Sequence, residues 1–122
     1  MKTYNEIKLA QELIRFPTLK TEDKGIMKFL SKKLSAIGFK CTIIKSKGTG
    51  PKQALNLYAR YGKTKPHIMY LGHTDIVANL DNWKFPPFKA VISKGYLNGR
   101  GAQDMKGGIA CWISAVSNFI KN

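Results

Sequence analysis

The chain predicts an α/β architecture, a mixed β-sheet layered with α-helices, on three observations. Apolar residues recur at helical spacing over residues 4–15, over 21–37 and from 105 onward. Short apolar or alternating runs at 39–43, 55–61 and 67–71 read as strands. The resulting order, ααβββ(ββ)α, interleaves the two kinds of element as layered folds do.

Each element has its own local reason. Ile7, Ala10, Leu13 and Ile14 form the stripe of the first helix, which stops before Pro17. In the second, Thr21 is the expected N-cap, Glu22 and Asp23 suit the positive end of the dipole, and Gly38 is the expected stop. The runs at 39–43 and 55–61 alternate like half-buried strands on either side of a Gly/Lys loop at 45–52. After the turn at 62–66, the apolar run 67–71 reads as a third, buried strand. Residues 72–88 hold no periodicity and include Trp83, Pro86 and Pro87, which predicts a structured loop. A short hairpin is expected around Lys94-Gly95. The last helix carries Ile109, Trp112, Ile113, Val116, Phe119 and Ile120 as its stripe. That stripe is still apolar at residue 120 of 122, so the chain is expected to be the amino-terminal part of something larger.

Composition narrows the function classes. A hydrophobic content of 43% and an aromatic content of 11% argue for a packed core rather than disorder. No apolar run reaches the ~20 residues that cross a bilayer, and the first six residues lack the apolar core of a signal peptide. A cytoplasmic location is therefore expected, without a membrane partner. Cys41 and Cys111 form no motif and read as small core residues in a reducing compartment. The net charge of +14 comes from dispersed lysines, with only Arg15, Arg60 and Arg100 as arginines. Charge spread this way suits solvated faces better than a specific nucleic-acid interface, which would cluster its bases.

Two nucleotide motifs fail on spelling. Gly62-Lys63-Thr64 ends like a P-loop, but Leu57 occupies the first glycine position. Gly99-Arg100-Gly101 opens like a dinucleotide fingerprint, but Asp104 occupies the third glycine position, where a carboxylate would repel a pyrophosphate. A metal is the better partner for the carboxylates. His73 and Asp75 stand two apart at the end of the 67–71 run, where sites form in α/β sheets. An imidazole there gives one nitrogen to a metal while a carboxylate holds the other N–H. Asp104 offers a second ligand at a helix start. Taken singly, each has a plainer role: Asp104 a helix cap, His73 a structural histidine, Asp75 a turn residue. His67 has no such companions and is expected to be exposed or locally packed. Trp83 and Phe88 suit a substrate wall or simple packing of the loop.

Three blocks in order carry a resemblance. Leu71-Gly72-His73-Thr74-Asp75-Ile76-Val77, Trp83-Lys84-Phe85-Pro86-Pro87-Phe88 and Gly99-Arg100-Gly101-Ala102-Gln103-Asp104-Met105-Lys106-Gly107-Gly108 together resemble the M20 family of zinc-dependent amidohydrolases and peptidases. Leu13-Ile14-Arg15-Phe16-Pro17-Thr18 and Ile37-Gly38-Phe39 extend the likeness to the start of the chain. Ala78 departs from it, where the family usually carries proline.

The resemblance implies a partial zinc-peptidase-like catalytic domain over residues 1–122, ending after the helix that follows Asp104. It implies His73 as a ligand of one zinc, Asp104 as the carboxylate bridging two, and Asp75 as the catalytic residue that orients His73. Cobalt is an expected substitute for zinc. The spelling is most similar to members that hydrolyse N-succinyl-diaminopimelate to succinate and diaminopimelate, with another N-acyl amino acid or a non-catalytic fragment as alternatives. After Asp104 the chain has no aspartate, glutamate or histidine, so the remaining ligands and the general base must come from elsewhere. These residues alone are thus expected to be inactive, to need a complementary carboxy-terminal chain, and to lack the domain through which complete members form homodimers.

Overall fold

Asn5 starts the first helix, α1 (Glu6–Ile14), by accepting the backbone N–H of Lys8 at 2.9 Å. The computed structural model describes residues 2–47 and 53–122. The second helix, α2 (Ile26–Ser35), begins later than the sequence predicts, and Thr21 does not cap it. Asp23 holds that end instead, its carboxylate accepting from the N–H groups of Gly25 (2.8 Å) and Met27 (3.2 Å). An aspartate so placed satisfies amides at the start of the helix, which Thr21 is too far upstream to reach. Gly38 ends the helix as expected: at φ +93° it adopts the left-handed conformation, and the Phe39 N–H returns to the Leu34 carbonyl at 3.1 Å.

Strands β1 (Lys40–Lys45) and β2 (Leu55–Arg60) pair antiparallel, with Lys40 opposite Arg60 and Lys45 opposite Leu55. The expected loop at 45–52 lies in part outside the described residues. Strands β3 (Val91–Ser93) and β4 (Tyr96–Asn98) form the predicted hairpin. Its turn residues, Lys94 and Gly95, both take positive φ, the geometry that matches strand twist. The fold class stands, but the sheet is in two pieces among the described residues, and the third strand is a correction. Residues 67–71 join no ladder, and Ile68, Met69 and Leu71 are 95%, 82% and 83% exposed. Their apolar sequence has strand propensity, but a strand exists only when a neighbour accepts its peptide groups.

The core lies between the helices. Leu9, Ala10 and Leu13 of α1 meet Ile26, Met27, Leu30 and Leu34 of α2. They also meet Ile109, Ala110 and Ile113 of the last helix, α3 (Gly107–Lys121). The buried face of α3 is rotated from the predicted stripe: it takes in Ala110, Ser114 and Ser117, while Phe119 is exposed. Small residues let the neighbouring chain approach closely enough for hydrogen bonds. Ser114 Oγ donates to the Tyr4 carbonyl (2.7 Å), and the Tyr4 N–H donates to Ser117 Oγ (3.1 Å). Burial raises the Tyr4 pKa, with nearby Glu12 adding to the effect. Cys111 is exposed on the opposite side of α3 rather than in the core, and both cysteines are free. No described helix is long and apolar enough to cross a membrane.

The irregular stretch 72–88 is tied down as a structured loop should be. Its Ile76 is buried and bridges Leu19, with the Ile76 N–H donating to the Thr18 carbonyl at 3.1 Å. Farther along, the Arg100 guanidinium lies 4.8 Å from the Trp83 ring centre and donates to the Asn79 carbonyl. Trp83 therefore packs within the loop system.

Candidate metal centre

Two segments build the site. One is the extended stretch that carries His73 and Asp75; the other is the wide turn over residues 102–106 that leads into α3. Gly101, at φ +83°, lets the chain enter that turn in a left-handed conformation. A Cβ there would sit 2.9 Å from Ile76 Cγ2. Within the turn Asp104 is extended (φ −126°, ψ 94°), and its peptide bond to Met105 is cis.

That conformation turns Asp104 away from α3. No side chain caps the first turn of the helix, so the cap role that the residue suggests by itself is not taken. Its Oδ1 instead lies 3.0 Å from His73 Nε2, with the Asp104 side chain 81% exposed. On the other side of the ring, His73 Nδ1 lies 3.2 Å from the Asp75 carbonyl oxygen and 3.3 Å from Asp75 Oδ1. All three sequence-predicted residues thus converge on one imidazole.

The arrangement has a direct electrostatic consequence. A neutral imidazole with its N–H on Nδ1 donates to Asp75 and presents a lone pair at Nε2. A lone pair facing a carboxylate oxygen at 3.0 Å is favourable only when a proton or a cation lies between them. The donor chemistry, one imidazole and one carboxylate, fits zinc. Among the described residues no group of three or more His, Cys, Asp or Glu is arranged to hold a metal. Two donors fall short of the about four ligands that zinc takes.

Three supporting residues escape motif reading. Met105 Sδ accepts the His73 N–H at 3.4 Å, fixing the backbone that carries the imidazole. Thr18 Oγ1 donates to the Thr74 carbonyl, holding the same segment from α1's side. Lys106 is wholly buried, and its Nζ donates to the Phe16 carbonyl at 2.7 Å. Burial lowers its pKa to about 8. A signal for Lys106 exists: one turn before Ala110 on the buried face of α3, helical spacing lands on it. His67, as expected, is exposed, with Nε2 at 3.0 Å from an Arg60 guanidinium nitrogen.

Beside the site opens a cavity of about 640 Å³. Tyr70 and residues 71–75 form one wall and β2 the other. Tyr70 stacks on Trp112 of α3 with ring centres 5.1 Å apart. Its hydroxyl is buried without a hydrogen-bond partner among the described residues, and burial raises its pKa.

Residues 69–122 match the model of peptidase family M20/M25/M40. Across nearly its whole length the chain is similar to curated proteins named succinyl-diaminopimelate desuccinylase. It is 52% identical to that of Pelagibacter ubique, over 98% of this chain and 32% of the relative. For Ehrlichia chaffeensis the identity is 45%, over 91% of this chain and 29% of the relative. For Rhodospirillum rubrum it is 43%, over 92% and 29%. The chain spans about a third of the length of these relatives and corresponds to their amino-terminal part. The resemblance read from the motifs therefore holds over the whole chain. Among solved structures, human carnosine dipeptidase 1 superposes with a TM-score of 0.84 at 22% identity, covering 95% of this chain and 28% of that one. That likeness is one of fold.

Proposed function

We propose that this chain is the amino-terminal portion of the catalytic domain of a zinc-dependent amide hydrolase. Its substrate is N-succinyl-diaminopimelate, cleaved to succinate and diaminopimelate in the cytoplasmic synthesis of lysine and cell-wall precursors. The observation that carries the reading is the approach of Asp104 Oδ1 to His73 Nε2 at 3.0 Å, with Asp75 at the other ring nitrogen. The names of the curated relatives support the substrate.

Each residue has a definite task in this reading. His73 binds one zinc through Nε2. Asp75 holds the Nδ1 proton, which fixes the tautomer and raises the basicity of Nε2. Asp104 would hold zinc through its carboxylate, its negative charge offsetting part of the metal's. Zinc held here supplies Lewis acidity toward an amide carbonyl and a water molecule. Met105 and Thr18 keep the His73 segment in place while substrate binds. A general base typically contributes ~10²–10⁴-fold, and residues after Asp104 include no candidate for it. The 122 residues are therefore inactive by themselves and act when the rest of the domain is supplied, in an enzyme that is homodimeric when complete.

A calorimetric zinc titration tests the site. Zinc should bind the chain, and His73→Ala or Asp104→Ala should weaken binding by more than about a hundredfold, beyond the ~10–100-fold typical of an outer-shell partner. Affinity unchanged in both variants would rule the site out. Activity is read separately: added zinc should leave the isolated chain inert toward N-succinyl-diaminopimelate, and turnover by it at ordinary enzymatic rates would contradict the proposal.

A further inference from the structure

Lys106 is wholly buried two residues after Asp104, with its Nζ on the Phe16 carbonyl at 2.7 Å. Among the described residues it enters no ion pair. A desolvated ammonium costs stability, and an apolar side chain of the same length would fill the space without that cost. Packing therefore does not ask for a lysine here. What the ammonium adds is a directed bond to one carbonyl.

We propose that Lys106 is a positioning residue for the metal centre: its bond to the Phe16 carbonyl sets where the 102–106 turn holds the Asp104 carboxylate against His73. This deepens the reading of His73 and Asp104 as zinc ligands and rests on it.

Three observations carry the role. First, the turn is closed at Lys106 by backbone and side chain together. Its N–H donates to the Gly101 carbonyl at 2.8 Å, and its stem lies along Gly101, where a Cβ would come 3.3 Å from Lys106 Cδ. Asp104 stands between these two ends. Second, Asp104 has little hold of its own. Its side chain is 81% exposed, and among the described residues its carboxylate meets only the His73 ring. Third, the acceptor is itself fixed. The Phe16 N–H donates to the Leu13 carbonyl at 3.2 Å, and its ring centre lies 5.2 Å from that of Phe29. Binding constellations must be held to about 0.5 Å by side chains whose rotamers are locked, and a wholly buried stem is locked.

Lys106→Met keeps the length of the stem and removes the donor. The Phe16 carbonyl stays paired, because it also accepts the Thr18 N–H at 2.9 Å. Zinc affinity of the 122-residue chain, read by calorimetry at pH 7, should fall ~10–100-fold, as for loss of an outer-shell partner. The urea midpoint should not fall, since the cost of the buried charge leaves with the bond. A core variant should do the opposite: Leu9→Ala should lower the midpoint and leave zinc affinity within about twofold. The zinc-free chain gives a second readout. At one fixed pH, the ¹⁵N signal of His73 Nε2 in Lys106→Met should move toward its position in Asp104→Ala, as the carboxylate draws away from the ring.

A His73 signal equal to the parent's overturns the positioning role. So does parental zinc affinity in Lys106→Met when His73→Ala abolishes binding. Loss of the cooperative urea transition in Lys106→Met overturns it as well, because the ammonium then holds the whole fold and not the turn. Zinc affinity indifferent to His73→Ala and Asp104→Ala alike overturns the proposed function instead, and a shifted His73 signal then still upholds the grip of Lys106 on Asp104.

Discussion

The helical layer and the 67–75 segment are equally apolar in sequence and opposite in fate. In the helical layer Leu13 and Ile26 are fully buried and Ile113 nearly so, because α1, α2 and α3 are mutual neighbours within these residues. In the segment, Ile68 and Leu71 face solvent. A helix satisfies its own backbone and needs only a surface to lie against, whereas a strand needs a partner for every peptide group. The same hydrophobicity thus closes one region and leaves the other open.

The sharpest way to probe this contrast is to truncate one residue in the closed region. Leu13→Ala should cost ~2–5 kcal/mol of unfolding free energy, measured by urea denaturation. A loss under ~1 kcal/mol would mean the helical layer is not the stabilising unit. A smaller effect is expected at the boundary between the regions. Asp75→Asn keeps the shape of the residue but weakens its hold on the His73 ring, and zinc affinity should fall ~10–100-fold by calorimetry.

A pH effect belongs to the closed side. Lys106 has a folded-state pKa of about 8, against an ordinary 10.5. Between those values the unfolded chain binds more protons than the folded one, so stability should rise with pH across that window. In Lys106→Met the rise should flatten, and a slope identical to the parent's would show that Lys106 does not titrate there. The least effect is expected in the open region, where Ile68→Ala should move stability by no more than about 0.5 kcal/mol. A cost comparable to Leu13→Ala would erase the contrast altogether.

What the sequence made legible follows the same division. The helices, the β1–β2 pair and the Lys94-Gly95 hairpin were readable because periodicity and turn chemistry are local. The run at 67–71 has the composition of a buried strand, but composition does not say whether a neighbour accepts its peptide groups. Thr21 and Asp23 were both reasonable caps by type, and only the path of the backbone at Gly25 selects between them. His73, Asp75 and Asp104 were legible as a set, yet Asp104 was ambiguous, since a carboxylate before a helix serves a cap or a metal equally well. Its extended backbone turns it away from the cap, and no local pattern announces that. Lys106 is hidden among dispersed lysines that suit solvated faces, although it lies one turn before Ala110, in line with the buried face of α3.

The bonds from Phe16 and Thr18 together make the end of α1 a yoke for the site. Thr18 grips the strand-like arm that bears His73 and Asp75, while the Phe16 carbonyl grips the arm that bears Asp104, through Lys106. Pro17, with its fixed φ, stiffens the bar between the two grips. The distance between the imidazole and the carboxylate is thereby registered to one rigid tripeptide almost ninety positions upstream of Asp104. Tilting that tripeptide moves both arms at once, so the opening residues of the chain calibrate a site to which they contribute no ligand.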